Sequence, residues 1–183
     1  MKVIFLDIDG VLNTSKTFKI REQIEKETGI WNIEIDEFRV AHLKQIIDET
    51  GAKIVLSSTW KKDLENVDGK IVPIHEKGEG LLNILNKHGI ELYDILKKGY
   101  DLNREDLITI WLNEHPNVES FIIIDDETTH LKKFIGKELI KTSFLEDGVM
   151  LKNMNDCMGL CEEHVPIAIN KLNNNKILKK NLK

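Results

Sequence analysis

One stretch constrains this chain more than any other: an apolar strand that runs straight into two acids. Val3, Ile4, Phe5 and Leu6 are long enough together for a strand buried on both faces, and Asp7-Ile8-Asp9-Gly10 interrupts the run. Residues two apart on an extended chain point to the same side. Asp7 and Asp9 therefore project together into the crevice beyond the strand's carboxyl end, and Gly10 lets the chain turn away. A calcium loop of the EF-hand type does not fit. Placing Gly10 at its sixth position makes Phe5 the first ligand and Lys16 the twelfth. An Asp-x-Asp of the sugar-nucleotide kind leaves the downstream carboxylates without a role.

Those carboxylates follow a repeat of the same design. Phe121 to Ile124 is again an apolar run, and Asp125-Asp126-Glu127 ends it. Like charges this close are unfavourable unless a cation is bound, and octahedral Mg2+ with oxygen ligands is the simplest partner. Ala52 to Leu56 is a third such run, broken by Ser57-Ser58-Thr59. Hydroxyls at a strand end, with the backbone N–H groups after them, suit phosphate oxygens; a helix cap is the plainer reading of the same residues. Trp60-Lys61-Lys62 then offers either an aromatic face and positive charge over a substrate, or a tryptophan packed in the core. Phosphate oxygens held at such strand ends also call for a fixed cation. Arg104, at the start of a helix expected over Arg104 to Glu114, is the first choice, and Lys98 is second.

Between these strand ends the apolar spacing turns helical. Helices are expected over residues 14–29, ended by Gly29, and over Glu37 to Glu49, stopped by Gly51. Residues 63–89 read as loop and a helix over Gly80 to His88, followed by a third strand over Ile90 to Leu96. Asp101 or Asn103 caps the helix at Arg104. A short helix is expected over Thr128 to Ile135, a last strand over Leu139 to Thr142, and a helix from about Asp147 through His164. Strands alternating with helices predict an α/β fold with a doubly wound parallel sheet.

At 183 residues, with 41% hydrophobic and 31% charged residues, the chain suits one soluble domain. No apolar run approaches the roughly eighteen residues of a membrane span, and Asp7 comes too early for a signal peptide, so a cytoplasmic protein without membrane contact is expected. The 26 basic and 31 acidic residues give a net charge of −5, unevenly spread. Residues 171–183 hold five lysines and no acid, so any nucleic-acid contact has to be local. The expected division is a domain over residues 1–165 and a basic Asn/Lys-rich helix or tail over 166–183. Cys157 and Cys161, four apart, are expected as buried thiols on one helical face; with His164 they offer only three metal ligands from one helix.

Taken together, Asp-Ile-Asp-Gly-Val-Leu at residues 7–12, the strand ending at Ser57, Arg104 opening its helix, and Asp125-Asp126 resemble in order the four motifs of the haloacid dehalogenase (HAD) superfamily of phosphohydrolases. The resemblance covers roughly residues 2–150. It implies a Rossmann-like domain without a large cap and a Mg2+ cofactor held by Asp7, Asp9 through its main chain, Asp125 and Asp126. It further implies Asp7 as nucleophile, Asp9 as general acid and base, and Ser57, with Ser58 in reserve, plus Arg104 as phosphate ligands. The segments Asp-Gly-Val-Leu-Asn, Leu-Ser-Ser-Thr-Trp, an Arg-x-x-x-Ile-x-x-Trp-Leu helix and Ile-Asp-Asp together look like HAD domains attached to bacterial RNA-repair proteins, and the run from Arg104 to Asp126 is similar to the phosphatase half of polynucleotide kinase/phosphatase enzymes. No Gly-x-x-x-x-Gly-Lys-[Ser/Thr] loop is present to serve a kinase half. The implied substrate is a phosphomonoester, with nucleic-acid ends among the candidates. A small-molecule or nucleotide phosphatase is the alternative, and a non-catalytic binding module that kept the fold is a third reading.

Overall fold

A computed structural model describes residues 1–29, 35–97, 102–144 and 158–174. In chain order the elements are β1 (Lys2–Leu6), α1 (Ser15–Thr28), α2 (Glu37–Thr50), β2 (Lys53–Leu56), β3 (Leu64–Val67), β4 (Lys70–Pro73), α3 (Glu76–Lys87), β5 (Leu92–Ile95), α4 (Arg104–Glu114), β6 (Ser120–Asp125), β7 (Leu139–Lys141) and α5 (His164–Asn174). Short 3-10 turns cover Thr59–Asp63 and Lys132–Phe134.

Five strands pair in the order β5-β2-β1-β6-β7, all parallel. The apolar run that opens the chain is thus the central strand. Its pleat sends Ile4 and Leu6 to one face, where they meet Ile54, Leu56, Ile122 and Ile124 and the buried sides of α2, α3 and α5. Val3 and Phe5 go to the other face, with Val55, Phe121, Ile123 and the α4 residues Leu107, Ile108 and Trp111. Phe5 stands edge-on to both Trp111 and Phe121, with ring centres 5.4 and 5.8 Å apart. The result is one α/β domain with helices on both faces of a parallel sheet. The chain winds outward from β1 through β2 to β5, then returns to place β6 on the other side. This reversal leaves a crevice between the carboxyl ends of β1 and β6, the place where open parallel sheets put their ligands.

Several expectations change. Residues 64–73 form an antiparallel hairpin, not a loop, turned by Asp68 and Gly69, both at positive φ (51° and 82°). An Asp-Gly pair suits such a turn because its twist matches that of the flanking strands. Helix α3 accordingly starts at Glu76 rather than Gly80. Thr128 to Ile135 holds only the 3-10 turn at Lys132–Phe134. The helix expected to end near His164 instead begins there: residues 158–163 are irregular, 145–157 lie outside the described residues, and α5 buries Val165, Ala168 and Leu172 in the same core as Val40, Leu43 and Ile46. Of the tail, Lys176, Lys179, Lys180 and Lys183 lie outside the described residues. Cys161 is disulfide-bonded and not a buried thiol, its sulfur 3.3 Å from His164 Nδ1; Cys157 lies outside the described residues. No helix among the described residues is long and apolar enough to cross a membrane.

Candidate active site

The loop after β1 is tied down at every step. Asp7 N–H continues the ladder by donating to Ile124 O at 3.0 Å, and Val11 and Leu12 N–H both donate to Ile8 O. The chain reverses at Gly10, whose φ is +75°. Thr142 Oγ donates to Gly10 O at 2.6 Å, and Leu160 N–H donates to Val11 O at 2.8 Å, so β7 and the segment before α5 brace this loop from behind. A Cβ at residue 10 would stand 2.3 Å from Asp126 Cγ. Glycine is required twice there, for the left-handed backbone and for the approach of Asp126.

Asp7 and Asp125 are 5% and 0% exposed, while Asp126 is half-buried. Their carboxylate oxygens converge within 4.8 Å of one another. Arg104 stands at the first position of α4, the helix packed on the Val3 and Phe5 face of the sheet. Its Nη1 lies 3.1 Å from Asp7 Oδ2 and donates a short hydrogen bond to Asp125 Oδ2. Asn103 caps α4 by accepting from Asp106 N–H at 2.9 Å, which fixes where Arg104 leaves the helix. Burial pushes the Asp125 carboxyl up to about 7, reinforced by Asp7 and only partly opposed by Arg104. Burial and Asp7 likewise push Asp126 up to about 6. Burial works against the Arg104 charge, but Asp7 and Asp125 outweigh it and hold the guanidinium above its ordinary range. Too much negative charge is gathered here for one guanidinium to balance. Three carboxylates in reach of one point are the hard oxygen donors that Mg2+ takes, so the residues present fit that ion.

Asp9 faces a different set of partners. Its Oδ1 accepts from Asn13 Nδ2 at 2.8 Å and its Oδ2 from Trp60 Nε1 at 3.0 Å, so the side chain stands outside the carboxylate cluster. Asn13 Oδ1 in turn accepts from Gly10 N–H at 3.1 Å. Trp60 is a core residue, 2% exposed, as its packing reading expects, and its indole N–H is spent on Asp9. Neither Asn13 nor Trp60 stood among the predicted site residues. Asn13 carried a weak signal, being a polar residue that directly ends the first motif.

Ser57 and Ser58 separate cleanly. Ser58 Oγ accepts from Trp60 N–H and caps the 3-10 turn. Ser57 is 2% exposed and, among the described residues, its Oγ has no hydrogen-bond partner. A buried hydroxyl left without a partner is rare, and it marks a place prepared for a ligand atom. Lys61 is half-buried in the same turn, within electrostatic reach of Asp7 and Arg104; burial, then Arg104 and Lys62, push its ammonium down to about 8. Lys98 lies outside the described residues.

Asp7, Ser57, Arg104, Asp125 and Asp126 thus meet at the strand ends, and Asp9 stands beside them. No curated protein and no solved structure matches the chain. A family model described as the HAD domain in Swiss Army Knife RNA repair proteins matches residues 3–148, from β1 through all four motif regions, and the chain belongs to this family, whose place in the HAD superfamily supports a phosphohydrolase-type function.

Proposed function

We propose that the protein is a Mg2+-dependent phosphomonoesterase that works through an aspartyl-phosphate on Asp7 and acts on phosphorylated polynucleotide ends. The observation that carries this reading is the unpartnered, buried Ser57 Oγ beside a cluster of Asp7, Asp125 and Asp126 crossed by Arg104. Those groups match the needs of phosphoryl transfer: a nucleophile, a metal-binding acid pair, a hydroxyl donor and a fixed cation. The description of the family as an RNA-repair domain supports the choice of polynucleotide ends.

Asp7 attacks phosphorus, and the bond from phosphorus to the ester oxygen breaks while Asp9 gives that oxygen a proton. Asp9 then takes a proton from the water that attacks the same phosphorus, and Asp7 is released with inorganic phosphate. Ser57 Oγ and Arg104 hold the equatorial oxygens, whose charge grows in the transition state. Trp60 and Asn13 keep the Asp9 carboxyl aimed throughout. Mg2+, when held by the Asp7 and Asp125 carboxylates and the Asp9 carbonyl, with Asp126 beside it, neutralises phosphate charge.

The test is turnover of an aryl phosphate with and without Mg2+, followed by oligonucleotides phosphorylated at either end, nucleotides and sugar phosphates. Mg2+-dependent turnover that is highest on oligonucleotides and lost in Asp7→Asn is expected. Faster turnover of nucleotides or sugar phosphates would replace the polynucleotide assignment, and substantial activity in Asp7→Asn would remove the aspartyl-phosphate.

A further inference from the structure

The turn at Thr59–Asp63 presents more than Trp60. Lys77, at the second position of α3, places its Nζ 3.9 Å from the Trp60 ring centre, over the face of the ring whose N–H holds Asp9. Asp9, Trp60 and Lys77 therefore form a row that leads outward from the site. In the mechanism above Asp9 protonates the leaving oxygen, so this row marks the side on which the leaving group departs. Lys61 follows Trp60 in the same turn, within electrostatic reach of Asp7 and Arg104.

Charge on this side is unspent. Arg104 is already shared between Asp7 and Asp125. Among the described residues neither the Lys61 nor the Lys77 ammonium has a hydrogen bond or an ion pair, although both side chains are half-buried. Lys61 is surrounded by more positive than negative neighbours, which leaves it in want of an anion. Beyond Lys77 lies a hollow of about 700 Å3, lined also by Pro73, Ile74, His75, Glu76 and Glu79. Its two glutamates make it a poor place for a phosphate, whereas its size suits a nucleoside. The phosphate that a leaving nucleoside would carry falls instead to the lysines.

We propose that Lys77, over the Trp60 ring, and Lys61, next to Trp60 in the chain, form a subsite for a second phosphate carried by the leaving group, one nucleoside away from the phosphate being hydrolysed. This inference rests on the phosphomonoesterase reading. Its chemistry is shared by an internucleotide phosphodiester and by the other phosphate of a nucleoside bisphosphate. In either case the subsite selects against simple monoesters such as sugar or aryl phosphates.

The experiment compares wild type with Lys61→Gln, Lys77→Gln and the double variant on four substrates: an aryl phosphate, a nucleoside monophosphate, a nucleoside 3′,5′-bisphosphate, and oligonucleotides phosphorylated at either end. Binding of a fluorescent phosphorylated oligonucleotide is followed by anisotropy in an Asp7→Asn background, where no turnover is needed. A charged hydrogen bond is worth about 1.5–3 kcal/mol, so the double change should raise KM and Kd for substrates with a second phosphate at least about tenfold more than for those without. The slope of log Kd against log salt should also fall by about one. A loss seen on oligonucleotides assigns the subsite to the polynucleotide backbone, and one confined to the bisphosphate assigns it to that smaller ligand; both support it. An equal loss on all four substrates, or unchanged oligonucleotide binding, overturns it. If wild type hydrolyses no phosphomonoester, the phosphatase reading fails, and anisotropy still decides the subsite.

Discussion

Trp60→Phe isolates what a single indole N–H does for this site. Phenylalanine keeps the ring buried and keeps a face for Lys77, but it leaves Asp9 Oδ2 without the 3.0 Å donor while Asn13 still holds Oδ1. A hydrogen bond to a charged group is worth about 1.5–3 kcal/mol, which at 1.4 kcal/mol per factor of ten is roughly a ten- to hundredfold loss if all of it serves to aim Asp9. General acid–base catalysis is worth about 10²–10⁴-fold, so the loss cannot exceed that of Asp9→Asn. The assay is single-turnover phosphoenzyme formation across a series of leaving groups. Poor alkyl leaving groups should suffer most, and good aryl ones least, because only the former depend on the proton that Asp9 supplies. Trp60→Phe should add little in an Asp9→Asn background, since both changes remove one function. Equal losses along the whole series, or losses that multiply with Asp9→Asn, would refute a positioning role and leave Trp60 as core packing alone.

Arg104→Ala should lower kcat strongly with a smaller effect on KM, because the guanidinium serves the charge that develops in the transition state; Lys98→Ala should be mild, and the reverse ranking in steady-state kinetics would move the phosphate clamp to Lys98. Gly10→Ala forces a left-handed backbone on a residue with Cβ, at about 1–2 kcal/mol, and drives Asp126 aside; Tm should fall by about 2–8 °C and calorimetric Mg2+ affinity should drop with it. Asp125 and Asp126 hold protons up to about 7 and about 6 in the metal-free fold, against an ordinary carboxyl value of 3.8. The folded chain then binds more protons than the unfolded one between about pH 4 and 7, so metal-free stability should fall as pH rises through that window. The rise in Tm with Mg2+ should grow over the same window, and a pH-independent increment would refute the assignment of these carboxylates to the metal.

What the sequence made legible follows from where chemistry interrupts regularity. Asp7, Ser57 and Asp125 each follow an apolar run, and a run that breaks into polar residues at its carboxyl end can be read without knowing the fold. Arg104 was legible as a helix start because Asn103 caps it, though nothing local shows that its guanidinium spans Asp7 and Asp125. Asn13 and Trp60 acquire their roles only through tertiary contact with Asp9, one across a tight turn and one from the next strand's end. The hairpin at Leu64–Pro73 was spelled out by Asp68-Gly69 and passed over because its strands, with Glu65, Asn66 and Lys70, face mostly outward and lack an apolar alternation. Reading Cys157 to His164 as helix hid the Cys161 disulfide. Residues 158–163, directly before α5, are irregular rather than helical.

The charge balance of the site also sets an order of binding. Among the described residues Arg104 is the one cation paired with the cluster of Asp7, Asp125 and Asp126, leaving negative charge in excess in a mostly buried place. Asp125 and Asp126 respond by holding protons toward neutral pH. A phosphate dianion entering such a site meets repulsion from Asp7, the group that has to attack it, and Ser57 Oγ alone offers too little to offset that. A divalent cation removes the excess, displaces the protons, and leaves Arg104 and Ser57 as net attractions for phosphate. Phosphate affinity should therefore rise with Mg2+, and Mg2+ affinity should rise with phosphate by the same factor. Lys61 stays outside this exchange: among the described residues no carboxylate is bonded to its ammonium, which in the proposed subsite answers charge that arrives with the substrate.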